Sequence, residues 1–167
     1  MFKKVMWATD GSESADEALP VARKITAESH GELVIVHCVE LTMPGKASGR
    51  LPVYANEDEL KAKVKQQAEQ LTAEGLTTRV LVTSASVGDA AQVIAETAQR
   101  EGAEVIVVGT RGRGPLAGLL LGSVTQRLLH VAPCPVLAVP TRNISHEPGV
   151  RAETQAGAGS DAPALTH

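Results

Sequence analysis

The sequence predicts an α/β fold, an open five-stranded parallel sheet with helices on both faces, Rossmann-like, in strand order 3-2-1-4-5. Three observations carry this. Apolar runs and amphipathic stretches alternate as βαβαβαβαβ, the pattern of a parallel sheet with helical crossovers. Aromatics are only 2% of the 167 residues, so the core must be built from Val, Ile, Leu and Ala, the usual filling of covered parallel strands. Finally, the apolar run Glu104-Val-Ile-Val-Val108 is closed by glycines, which places a glycine-bearing loop at the carboxyl end of a strand. That end is the ligand face of such sheets, where the strand order reverses.

Each element has its own signal. Lys4-Val-Met-Trp-Ala-Thr9 reads as the first strand. The first helix is expected to open on the capping box Ser14-x-x-Glu17, with Ala15, Leu19, Ala22 and Ile25 on one face. Pro20 lies inside that pattern and predicts a kink or a later start. Glu32-Leu-Val-Ile-Val-His-Cys-Val39 is the clearest buried strand, and residues 40–55, with their prolines and glycines, read as loop. The second helix starts at Asn56-x-x-Glu59 and carries Leu60, Val64, Ala68 and Leu71 on one face to Gly75, a natural stop. Thr78–Thr83 makes the third strand. Gly88-Asp89 opens a helix through Val93, Ile94 and Ala98 that ends near Gly102. After the fourth strand and the glycine loop, a helix covers roughly Val124 to Val131, and Pro135-Val-Leu-Ala-Val139 is the fifth strand.

The organisation is one domain, residues 1–140, followed by residues 141–167. This last segment turns to Gly, Ala, Ser, Pro and Thr with almost nothing to bury and reads as a disordered tail. The net charge is −3 and no basic patch stands out, which argues against a nucleic-acid partner. No apolar run approaches the length of a membrane span, and Met1-Phe-Lys-Lys4 passes straight into a strand, so neither span nor signal peptide is expected. Cys38 and Cys134 lie in apolar contexts and read as reduced thiols of a cytoplasmic protein.

The chemistry concentrates in Gly109-Thr-Arg-Gly112, nine residues, then Gly122-Ser123. It is neither a Walker A loop, since no Gly-Lys-Ser/Thr follows, nor the dinucleotide fingerprint, which belongs after the first strand. Gly109 and Gly112 let backbone N–H groups approach an anion. Ser123 begins Ser-Val-Thr-Gln126, a capping-box pattern that would open a helix with its N-terminus toward negative charge. Arg111 and Arg113 add positive charge. These are the parts of a phosphate cradle; the bland alternative is a surface loop that binds nothing.

Asp10, in Ala8-Thr9-Asp10-Gly11-Ser12, would face this loop across the switch point as a partner for a ribose hydroxyl or a bridging Mg²⁺. The alternative is a residue that only shapes the turn. His37-Cys38-Val39 offers backbone groups and an apolar wall to a base, or is ordinary strand. Cys134, between Pro133 and Pro135, points to a structural role. His30, His130, His146 and His167 show no metal-ligand spacing. Ser12, Ser14 and Ser123 are explained as turn or cap residues, and no nucleophile–base pair stands out. Binding is better supported than catalysis.

Taken together, Ala8-Thr9-Asp10-Gly11-Ser12, Leu33-Val-Ile-Val-His-Cys38, Gly88-Asp89-Ala90, Gly109-x2-Gly112-x9-Gly122-Ser123 and Pro135-Val-Leu-Ala-Val139 resemble the universal stress protein family over residues 2–140. The glycine pattern is the signature of its ATP-binding branch. The resemblance implies homodimers, a cytoplasmic stress-response role, and ATP, or ADP or AMP, at the switch point, with Mg²⁺. It implies Asp10 at the ribose-phosphate region and as metal contact, with Thr9 and Ala8 beside the adenine. Cys38 would contact adenine through its backbone, and Gly109, Gly112, Gly122 and Ser123 would hold the phosphates with Val124 adjacent. Two features depart from the family pattern. Trp7 stands where smaller aliphatics are usual, either shrinking the adenine pocket or packing under the first helix. The tail is longer than the fold requires.

The leading reading is therefore a nucleotide-binding regulatory or sensor module with an unidentified protein partner and at most weak ATPase activity. The alternative is a slow ATP hydrolase or adenylate-using enzyme on the same fold. A third is a dimeric scaffold that has lost its ligand. The fifth strand, residues 135–139, is an apolar edge without a guarding charge, which points to homodimer pairing through it.

Overall fold

The computed structural model describes residues 1–42, 51–52, 56–111 and 121–141. In chain order the elements are β1 (Lys4–Thr9), α1 (Glu13–Ser29), β2 (Glu32–Thr42), β3 (Leu51–Pro52) and α2 (Glu57–Ala73). They continue with β4 (Thr77–Ser86), α3 (Ala90–Glu101), β5 (Val105–Gly109), α4 (Ser123–Val131) and β6 (Val136–Val139). The four pairings among the five apolar runs are parallel and give the order β4-β2-β1-β5-β6, which is 3-2-1-4-5 in the numbering of the sequence. The chain steps outward from β1 through β2 to β4, then returns across β1 to place β5 on its other side. The switch point is thus between β1 and β5. The strands are in close register there: Thr9 is paired with His37, and Trp7 with both Ile35 and Val107.

Two apolar layers explain why these sequences fold this way. On one face α1 and α2 cover Val5, Trp7, Leu33, Ile35, Val105 and Val107, with Ala18, Ala22, Val64, Ala68 and Leu71 as helical contacts. On the other face α3 and α4 cover Met6, Ala8, Val34, Val36, Cys38, Ile106 and Val108, through Ala91, Ile94, Ala95, Ala98 and Leu128. The alternation of side chains along each strand sends successive residues to opposite layers, so both helix layers are filled from one apolar run. Trp7 belongs to the α1/α2 layer, is fully buried, and donates its indole N–H to the Ala15 carbonyl at 3.0 Å. It therefore packs beneath the first helix, the second of its two expected placements. A fully buried aromatic with its polar handle satisfied is among the larger single contributions to such a core.

Several boundaries differ from expectation for local reasons. Ser12, not Ser14, caps α1: its hydroxyl accepts from the Ala15 N–H at 3.3 Å. Pro20 does not delay the start, and the helix runs through it. It leaves the Asp16 carbonyl without its helical donor, which a proline cannot supply. β2 extends to Thr42 and β4 runs over Thr77–Ser86, because each continues to pair with the other through Leu41–Ser86. Part of the expected 40–55 loop is therefore strand, and it includes β3, which pairs antiparallel with Leu41 and Thr42. Leu41 is paired to β4 on one flank, so β3 takes the flank that β1 leaves after Thr9. β5 includes Gly109 as its last residue, and β6 begins at Val136. The expected tail lies outside the described residues beyond Thr141. Among the described residues, no helix is long and apolar enough to cross a membrane.

Candidate functional site

The turn after β1 is built by short-range hydrogen bonds. The Thr9 hydroxyl accepts from the Gly11 N–H at 3.1 Å, and the Asp10 carboxylate accepts from the Ser12 N–H at 3.0 Å. The second of these is an Asx turn, so Asp10 does have the turn-shaping role that the bland reading gave it. Gly11 has φ +76°, and a Cβ there would lie 2.4 Å from Leu60 Cδ2. The left-handed backbone favours glycine, and any side chain there would also have to displace the end of Leu60. Lys63 of α2 donates to the Gly11 carbonyl at 3.1 Å and pairs with Asp16, which Gln67 also contacts at 3.0 Å. The turn carrying Asp10 is thus held by α1 on one side and α2 on the other.

On the other side of β1, the end of β5 is pinned by four hydrogen bonds. The Thr110 N–H donates to the Val139 carbonyl at 3.0 Å, and the Arg111 N–H donates to the Ser14 hydroxyl at 3.0 Å. The Gly122 N–H reaches back to the Thr110 carbonyl at 2.6 Å, closing the neck of the glycine loop. The Thr125 hydroxyl donates to the Gly109 carbonyl at 2.8 Å and fixes the first turn of α4 against the strand. Gly122 is the N-cap of α4, so the expected Ser123 capping box is not formed, and among the described residues no side chain caps this helix. Ser123 is its first residue and is exposed. Among the described residues, the first-turn N–H groups of α4 are therefore left without a side-chain acceptor, the condition under which a helix N-terminus receives an anion.

Gly109 has a different reason for being glycine from the one the motif suggests. A Cβ there would meet the Ser14 carbonyl oxygen at 2.3 Å and its carbon at 2.5 Å. Close packing of α1 against β5 excludes a side chain whatever the ligand. Gly112, with Arg113, lies outside the described residues.

The crevice floor is apolar. Ala8 and Cys38 are both buried in the α3/α4 layer, with Val124 partly buried against the same cluster. Burial pushes the Cys38 thiol up from its ordinary range, so it is held protonated, a wall rather than a nucleophile. Burial does the same to Cys134. Of the expected site residues, Ala8, Thr9, Asp10, Cys38 and Gly109 come together at the carboxyl ends of β1, β2 and β5. The Thr110–Gly122 bond brings Gly122, Ser123 and Val124 to the same end of the sheet. Among the described residues, no three His, Cys, Asp or Glu side chains converge as a metal site.

Two side chains at this end escaped the sequence reading. Ser14, assigned to a cap, instead receives the Arg111 N–H. His37, noted only as part of a wall, is fully buried with its Nδ1 3.0 Å from the Thr9 carbonyl and its Nε2 2.8 Å from Glu57 Oε2. Glu57 is itself buried, as the first residue of α2. A glutamate at the start of an otherwise charged helix carries no sequence signal of burial; only the fold brings it to His37. With both ring nitrogens engaged and no exposed surface, His37 is not placed to activate a water.

Fold and site together define an open, doubly wound α/β protein whose crevice lies over the carboxyl ends of its central strands. The model of the Universal stress protein family matches residues 1–140, and the chain belongs to that family. It is 36% identical over 146 residues to a universal stress protein of Thermus aquaticus, covering 83% of this chain and 99% of the relative. Among solved structures it is similar to MJ0577 of Methanocaldococcus jannaschii, with TM-score 0.62, 27% identity, and coverage of 86% of this chain and 99% of the other. It is also similar to a universal stress protein solved in complex with cAMP, with TM-score 0.59, 25% identity, and coverage of 83% and 97%.

Proposed function

We propose that the chain is an adenine-nucleotide-binding universal stress protein, with ATP as its ligand, acting as a regulatory or sensor module. The observation that carries this reading is the N-terminus of α4, which Gly122 caps without a side-chain bond and which the Thr110 and Thr125 bonds fix against the end of β5, the strand beside β1. Phosphates would accept from the N–H groups of Ser123 and Val124, with the helix dipole adding to the attraction. The adenine would lie on the apolar floor at Ala8, Thr9 and Cys38. The similar structure with cAMP bound supports an adenine nucleotide in a fold of this kind. Asp10 would face the ribose or a Mg²⁺, which then completes its coordination with phosphate oxygens and water, as this ion commonly does. The buried, doubly engaged His37 favours binding over hydrolysis.

Asp10→Ala tests the assignment. It is expected to weaken Mg-ATP binding by about 1–3 kcal/mol, the usual cost of losing a hydrogen bond to a charged group. Calorimetric titration with and without Mg²⁺ reads this directly, and unchanged affinity in both would leave Asp10 with its Asx-turn role alone.

We further propose a homodimer through β6, the edge strand beside β5. The carbonyls of Pro135 and Val139 are taken by Ile106 and Thr110 of that neighbourhood. Backbone groups alternate in direction along a strand, so the Ala138 N–H faces away from β5. Leu137 is exposed. Ala138→Pro would remove an outward donor without touching the β5 ladder. Light scattering at micromolar concentration is expected to show a dimer for the parent chain and a monomer for Ala138→Pro. A monomeric parent would refute the assembly.

A further inference from the structure

Among the described residues, His37 is the one buried histidine and Glu57 the one buried carboxylate, and they face each other at 2.8 Å. Taking both groups out of water is costly unless each is paired, so a pair of this kind is weak evidence for stability and better evidence for a required position. What it positions is legible in the bonds. The Thr9 carbonyl only accepts, so His37 Nδ1 must carry a hydrogen to make the 3.0 Å contact. The pair therefore links the first residue of α2, through β2, to the last residue of β1, immediately before Asp10. The same helix makes two further contacts with that turn and two with the first turn of α1 that follows it. Leu60 occupies the space a Cβ on Gly11 would need, Lys63 holds the Gly11 carbonyl, and Lys63 and Gln67 both hold Asp16. Asn56, the N-cap of α2, makes no side-chain capping bond, so Glu57 anchors the start of the helix.

We propose that His37 and Glu57 are positioning residues of the nucleotide site, coupling the docking of α2 to occupancy of the Thr9–Ser12 turn. The inference rests on the adenine-nucleotide reading above. A ligand that contacts Thr9 and Asp10 needs their turn in one place, and that turn is held in place by α2 through Glu57 and His37. Linkage is reciprocal, so a bound ligand must stabilise the docked start of α2 by the same free energy that docking adds to binding.

The pair also dictates which substitutions it tolerates. In Glu57→Gln, neutral His37 can still donate from Nδ1 to Thr9 while Nε2 accepts from the amide, so both ring nitrogens keep their partners. Glu57→Met has similar bulk but leaves Nε2 buried without a partner. The test is calorimetric titration of Mg-ATP into the full chain and both variants, with amide hydrogen exchange over residues 57–63 with and without the nucleotide. Parent and Glu57→Gln are expected to bind within about twofold of each other and Glu57→Met about tenfold more weakly, inside the usual range of coupling between sites. ATP is expected to slow exchange at 57–63 in the parent and in Glu57→Gln. Glu57→Met binding as tightly as the parent, or no change in exchange when the parent binds, would overturn the coupling while leaving nucleotide binding in place. A parent chain that does not bind Mg-ATP would overturn the nucleotide reading and the coupling with it. If Glu57→Met does not fold, the exchange difference in the parent and the affinity of Glu57→Gln decide the matter.

Discussion

Gly122→Val is expected to lower ATP affinity by about a hundredfold while leaving the fold intact. The two halves of that expectation have separate grounds. Gly122 has φ −66° and ψ 154°, extended backbone that any residue adopts, so valine introduces no backbone strain. Its N–H would still reach the Thr110 carbonyl. The proposed ligand approaches the first turn of α4 from outside, however, and a β-branched side chain at the N-cap stands in that approach. Losing one or two hydrogen bonds between backbone N–H groups and a charged phosphate removes about 1.5–3 kcal/mol each, which sets the scale of the loss. Calorimetry gives the affinity and circular dichroism the fold. Gly122→Val binding ATP as tightly as the parent would put the phosphates elsewhere.

Gly109→Ala is expected to act the other way, on stability before binding. Its new Cβ would meet the Ser14 backbone at 2.3 Å from oxygen and 2.5 Å from carbon. Backbone in a helix cannot swing aside as the end of a flexible side chain can. Either α1 or β5 must shift, and the Ser14–Arg111 hydrogen bond lies in the path of that movement. Overpacking of a close-packed interior commonly costs about 1–3 kcal/mol, and the contact here belongs at the top of that range. For a domain of this size, about 3 kcal/mol corresponds to a fall in Tm of roughly 6–12 °C. A Tm within about 2 °C of the parent in a calorimetric scan would show that α1 and β5 are not packed as described. The two glycines of one motif would thus be separated by experiment: Gly109 by its effect on folding, Gly122 by its effect on the ligand.

That separation marks what the sequence made legible and what it did not. The strand order was readable because parallel strands buried on both faces are near-continuous apolar runs, as in Leu33–Val39 and Val105–Val108, and crossover rules leave few topologies for five of them. The buried face of α2, Leu60, Val64, Ala68 and Leu71, was readable from its spacing for the same reason. The turn that brings Ala8–Ser12 to the carboxyl end of β1 was readable because its motif is local. Caps were not, because Ser12 and Ser14 are equally good acceptors and only the entry angle of the chain chooses between them. Nor was the reason for Gly109, which lies in a helix 95 positions away in the sequence, at Ser14. The His37–Glu57 pair was hidden too, since a single charged residue among Glu57, Asp58 and Glu59 gives no sign that it alone is buried.

The central claim, an adenine nucleotide at the switch point with its phosphates on α4, is tested most directly by an amide NMR titration of the parent chain with Mg-ATP. Saturable shifts are expected to be largest at Thr9, Asp10, Cys38 and Gly122–Val124, the groups that converge on the carboxyl ends of β1, β2 and β5. Shifts confined to another surface, such as the groove of about 610 Å³ between α2 and β4 lined by Lys61, Lys65, Thr78 and Val82, would contradict it, as would none at all.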